Sequence, residues 1–211
     1  MIVDFNVHNV VRVRFHTIRG NRLLDSIEAY LREFKGEIED NVDVFISDYH
    51  LHPHFSESEY VVVSEYSKPY LYINGYLDSP EERFCFNLLN RPLVLFCDNH
   101  CPLPLTFLLE LILLERGYTF IHALGIQHDN RAFLFPALPG VGKTTLALNL
   151  LHLGLRDEYK LLGDDLVIIN EREALAFPID LAIYPYHLKV LRKKWRGYEE
   201  TSYHKIARHT I

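Results

Sequence analysis

Ala137-Leu-Pro-Gly-Val-Gly-Lys-Thr-Thr145 decides how this chain is read. Glycines at 140 and 142 let the backbone curl until several N–H groups aim at one anion. The residues that follow, Thr144-Thr-Leu-Ala-Leu-Asn-Leu-Leu-His152, have an apolar helical face. A helix starting there presents its positive N-terminus to the same anion. Lys143 supplies a full charge for the outer phosphates, and Thr144 a hydroxyl for a magnesium ion. The pattern G-x-x-x-x-G-K-[ST] is kept except that Ala137 stands first. Upstream, Arg131-Ala-Phe-Leu-Phe135 reads as a strand. Strand, glycine loop and helix together predict a phosphate-binding loop, with Ala137, Leu138, Pro139, Gly140, Val141, Gly142, Lys143, Thr144 and Thr145 as nucleotide contacts.

The rest of the chain follows from that anchor. Twenty residues after Thr144 stands Gly163-Asp164-Asp165, set inside the apolar run Leu161 to Ile169. Two adjacent carboxylates in an apolar strand are costly to bury without a counter-ion, and a nucleotide-loaded loop brings a metal. Neighbouring strand residues point to opposite faces, so the two acids cannot share one role. Upstream, Ile121-His122-Ala-Leu-Gly125 closes a strand that precedes the loop strand. A lone His there is as consistent with a core position as with a functional one.

Bulk properties set limits. The 211 residues are 48% hydrophobic, with 13 Tyr and 13 Phe, enough for a core rich in strands. The net charge of −6 argues against general nucleic-acid binding. Residues 187–211 are basic, with a balance of +5, and read as a solvated helix face or a dock for an acidic partner. Cys85, Cys97 and Cys101 are sparse and odd in number, as expected of reduced thiols in a cytoplasmic protein. No signal peptide is evident, and the apolar run Leu103 to Leu114 is too short to span a bilayer.

The periodicity predicts strands in residues 2–18, a helix over 21–34, and strands near 42–46, 60–63, 70–73, 84–89 and 93–96. It predicts a helix over 102–116, strands over 118–126, 132–135 and 161–169, one or two more over 177–184, and a basic helix from His187 to Arg196. A boundary is expected near residues 98–102, giving a strand-rich region over 1–100 and a nucleotide-binding region over 101–211. His50, His52 and His54, and the Cys97–Cys101 pair around His100, are weaker metal candidates, since a structural zinc site wants four ligands.

The order His122, hairpin, Gly-Lys-Thr loop, helix ending in Leu151-x-x-Gly154, then Gly163-Asp-Asp-Leu-Val167 resembles the HPr kinase/phosphorylase family. Its nucleotide domain is similar to that of ATP-dependent phosphoenolpyruvate carboxykinase. The likeness covers about residues 101–185. It implies an α/β (α+β) chain with a mixed-sheet P-loop kinase domain of the HPr kinase/carboxykinase type, preceded by the smaller strand-rich region. It implies ATP and Mg2+, and transfer of the γ-phosphoryl group to a hydroxyl, often serine, of a peptide, protein or small molecule. By the same resemblance Asp164 is the general base, Asp165 and Thr144 contact the metal, Lys143 holds the phosphates, and His122 sits near the transferred group. Ala137 and Thr145 depart from the HPr enzymes, and no counterpart of their downstream Arg-Gly-Leu-Gly-type signature is present, so HPr as substrate and hexameric assembly are not carried over. An oligomer is possible, and neither nucleic acid nor membrane is expected as partner. A nucleotide-binding regulatory module without turnover is the alternative.

Overall fold

The computed structural model describes residues 1–18, 21–38, 41–48, 61–62, 71–73, 75–79, 83–97, 102–138, 140–152, 158–179 and 187. The class is α+β: two sheets carry most of the regular structure and three α-helices accompany them among the described residues. Two compact units divide it, Met1–Gly117 and Tyr118–Ile211.

In the first unit the alternation of valines sets a sheet face. Strands β1 (Ile2–Val7) and β2 (Val11–His16) form an antiparallel hairpin in which Val11, Val13 and Phe15 are buried and the arginines between them are not. Helix α1 (Asn21–Leu31) and a 3-10 turn (Arg32–Phe34) follow, burying Leu23, Ile27, Leu31 and Phe34 at helical spacing. The chain then returns as β3 (Val44–Ser47), parallel to β2. Strands β4 (Val61–Val62), β5 (Leu71–Ile73), β6 (Tyr76–Ser79), β7 (Phe84–Asn87) and β8 (Leu93–Cys97) complete eight strands in the order β1-β2-β3-β8-β7-β6-β5-β4. Among the described residues only β2–β3 and β3–β8 pair in parallel. Phe15, Ile46, Leu95 and Phe86 lie in register across four strands and are all buried.

Helix α2 (Pro102–Glu115) packs with this unit. Its ring-to-ring contact is Phe107 on Phe86, centroids 5.5 Å apart, and Thr106 Oγ1 shares a 2.8 Å hydrogen bond with Tyr30 of α1. The helix that the sequence placed at the head of the nucleotide-binding region therefore belongs to the preceding unit. The division falls at Gly117, whose φ of +78° ends α2 in the left-handed conformation.

The second unit is built on one long strand. Strand β9 (Thr119–His128) turns through Asp129-Asn130 into β10 (Arg131–Pro136), then comes helix α3 (Lys143–His152). Strand β11 (Tyr159–Gly163) pairs with one half of β9 and β12 (Leu166–Ile169) with the other, and β13 (Ala174–Leu175) pairs with β12. The resemblance implied a mixed sheet here, whereas every described pairing in this unit is antiparallel. Residues 177–179, expected as strand, are irregular; Phe177 is buried and its N–H donates to the Leu162 carbonyl at 2.7 Å. Residues 180–186 and the expected basic helix beyond His187 lie outside the described residues, as do His50, His52, His54, His100, Cys101 and Pro139. Among the described residues no helix is long and apolar enough to cross a membrane.

Candidate functional site

Alternation along β9 decides where the loop sits. Leu124 and Ile126 pack on Ala147 of α3, with Leu150, Tyr159 and Leu161 around them. This anchors α3 across the sheet, and the segment 137–142 must close the distance from the end of β10. It does so through Gly140 at φ +82° and Gly142 at φ +109°. A Cβ at either position meets nothing within 4 Å, so conformation rather than space calls for glycine. The Gly142 carbonyl accepts from the Leu146 N–H at 2.9 Å, the first helical bond of α3. The amides of Lys143, Thr144 and Thr145 thus precede the first intrahelical donor, at the helix N-terminus. Leu138 and Val141 form an exposed rim.

Lys143 Nζ donates to the Ala137 carbonyl at 2.9 Å, which holds the ammonium against the first residue of the loop. The Thr144 hydroxyl donates to Asp164 Oδ2 at 2.7 Å. The Thr145 carbonyl accepts from Asn149 Nδ2 at 2.6 Å. Nothing polar in the structure is bonded to the Thr145 hydroxyl among the described residues.

Asp164 owes its position to a register shift. Strand β11 slips by one residue between Leu161 and Gly163, after which the Asp pair and β12 follow β9 in one register, and the Ala123 N–H donates to the Asp165 carbonyl at 3.2 Å. A Cβ on Gly163 would fall on the Leu166 carbonyl oxygen, so the backbone passes there only as glycine. The two carboxylates then part. Asp164 is 6% exposed and turns to Thr144. Asp165 is open to solvent, with Oδ1 3.4 Å from His122 Nε2, the His122 and Asp165 side chains being 49% and 58% exposed. The two side chains point apart, although residues 164–165 form a bend between β11 and β12 rather than the extended strand on which the expectation of separate roles rested. The particular pairing differs from what the resemblance implied: Thr144 meets Asp164, and Asp165 meets His122.

Burial pushes the Asp164 carboxyl above its ordinary value; the Thr144 hydrogen bond opposes this, the Asp165 charge adds to it, and Lys143 and His187 pull it down. Its second oxygen, Oδ1, is buried with no hydrogen-bond partner among the described residues. An orphaned carboxylate oxygen beside a threonine hydroxyl suits a hard cation, which takes oxygen ligands. Among the described residues no three His, Cys, Asp or Glu gather as a metal cluster. Mg2+ does not need such a cage, since it keeps waters and phosphate oxygens and takes one or two protein oxygens.

His187 was missed as a site residue. It reads in sequence as the first residue of a basic helix, yet it is 3% exposed and close enough to Asp164 for each to feel the other's charge. Burial pushes its imidazole below the ordinary value, and Asp164 pulls the other way. Only its position behind an apolar stretch hinted at burial.

The sequence matches no protein-family model, and no curated protein matches it.

Proposed function

We propose that the chain is an ATP-dependent phosphotransferase of the HPr-kinase-like type, built on a P-loop, that moves the γ-phosphoryl group to a hydroxyl of a peptide, protein or small molecule. The observation that carries this is the Thr144–Asp164 hydrogen bond, because it ties the loop's metal-binding hydroxyl to a buried, half-satisfied carboxylate. A loop that only gripped phosphate would not require that acid.

Each residue has a distinct part. The amides of residues 142–145 and the Lys143 ammonium receive the phosphates. Thr144 Oγ1 and Asp164 would hold Mg2+, which would supply neutralisation of the charge on the transferring group. The acceptor oxygen bonds to the γ-phosphorus as the bond to the β-phosphate oxygen breaks, and ADP leaves with that electron pair. The acceptor's proton passes to the Asp165 carboxylate, whose outward face and His122 neighbour leave it open to an acceptor. This exchanges the base and metal roles that the resemblance gives to Asp164 and Asp165.

The test is incubation of the native chain with γ-labelled ATP, Mg2+ and serine-bearing acceptors, beside Lys143→Ala and Asp165→Asn. Label in an acceptor that is lost in both variants supports the proposal; transfer that survives both overturns it. A second reading, a nucleotide-binding regulatory module without turnover, draws on the same open position of His122 and Asp165, since phosphoryl transfer profits from excluding water. It predicts bound ATP and no labelled product with any acceptor.

A further inference from the structure

The loop-bearing unit contains a second concave feature that the nucleotide reading leaves unused. A cavity of about 470 Å³ is lined by residues of the β9–β10 hairpin and of the β12–β13 turn. Gln127 and its partner Ala132, and Leu134 opposite Gly125, line it. These alternate with Leu124 and Ile126, which pack on α3. The cavity therefore opens on the sheet face away from α3. The phosphate loop, in contrast, leaves the far end of β10 after Pro136. Among the described residues, none of 137–145 lines the cavity.

Its floor is apolar: Leu134, Leu162 and Ile169. Its rim brings Arg131 from the hairpin together with Arg172 from the β12–β13 turn. Neither guanidinium has a hydrogen-bond or ion-pair partner among the described residues. The carboxylate on the same rim, Glu173, has its Oε1 tied down, accepting from the Tyr118 hydroxyl at 2.8 Å and from Asn170 Nδ2 at 3.5 Å. The turn that presents Arg172 is fixed, because Asn170 Oδ1 accepts from the N–H groups of both Arg172 and Glu173 at 2.8 Å. A fixed turn thus places an unpaired arginine on the same apolar-floored cavity that Arg131 lines. Guanidinium forks match oxyanions, and the volume is that of a small-molecule site.

We propose that this cavity binds a small molecule carrying an oxyanion, carboxylate or phosphate, on an apolar body, with Arg131 and Arg172 on the anion and Leu134, Leu162 and Ile169 beneath the body. The site is separate from the phosphate loop and does not depend on turnover there.

The experiment is titration of the full chain with phenyl phosphate, with benzoate and with inorganic phosphate, followed by calorimetry. Native protein and Lys143→Ala are compared with Arg131→Ala and Arg172→Ala, whose side chains are exposed and unpaired, so that their removal strands no partner. Saturable binding of an aromatic anion, tighter than inorganic phosphate, is expected in native protein and unchanged in Lys143→Ala. Each arginine variant is expected to weaken it at least about tenfold. Preference for phenyl phosphate or for benzoate identifies the anion. No saturation by either aromatic anion overturns the proposal. So does binding that vanishes in Lys143→Ala while both arginine variants retain it.

Discussion

The hydroxyl of Thr144 and the carboxylate of Asp164 are joined by a 2.7 Å hydrogen bond, twenty residues apart in the chain, while the neighbouring Asp165 turns to His122. A one-residue slip in β11 and a side-chain-free Gly163 produce this divergence, which leaves Asp164 buried and Asp165 open to solvent.

The two acids should answer differently to amidation. Asp164→Asn removes a buried charge whose second oxygen is unpaired, so the variant should be more stable than the native chain by about 1–3 kcal/mol without ligand. It should also lose the stabilisation that Mg2+ adds to bound ATP. Asp165→Asn should leave stability within about 0.5 kcal/mol, because the side chain is exposed, and should abolish transfer while ATP still binds. Thermal melts with and without Mg-ATP check both.

Gly163→Ala should be destabilised by about 2 kcal/mol or more, since its methyl group has only a backbone carbonyl to displace. Moving Leu166 moves Asp164, so transfer should fall with it. A melt paired with a transfer assay reads the two effects together.

In the first unit, Asp43 closes the start of the parallel pairing. It accepts the Arg12 N–H at 2.8 Å and a two-pronged contact from Arg116 at 2.9 and 2.5 Å. Asp43→Ala should cost about 1–2 kcal/mol, discounted for the partial exposure of Arg116. Urea unfolding midpoints measure it.

The local part of the site was open to reading from sequence, and the long-range part was not. Gly140, Gly142, Lys143 and Thr144 act through a turn and the first helical residues, so their spacing alone announces the loop. Which acid meets Thr144 depends on a register shift against β9, and alternation in a single strand cannot supply it. The site position of His187 and the packing of α2 with the first unit are tertiary facts. Helix α2 is apolar on nearly every side, so its sequence names no partner. Most strands were found within a residue or two, by partial alternation in β2 and as short apolar or aromatic runs elsewhere, whereas β6 and β13 were not expected.

Burial, and then the Asp78 charge, push the Cys85 thiol from its ordinary 9.0 to about 12. The unfolded chain releases that proton from about pH 9, whereas the folded chain keeps it until about pH 12. Over that window the unfolded state binds fewer protons, so stability falls as pH rises, by about 1.4 kcal/mol per pH unit from this group. Unfolding free energies at pH 8 to 11 should therefore decline more steeply in the native chain than in Cys85→Ala.

The most direct measurement is calorimetric titration of the native chain and Lys143→Ala with Mg-ATP. One saturable site is expected in the native chain, weakened roughly ten- to a hundredfold when the ammonium is removed. Absence of saturable binding, or equal affinity in the two proteins, would contradict nucleotide binding at the loop.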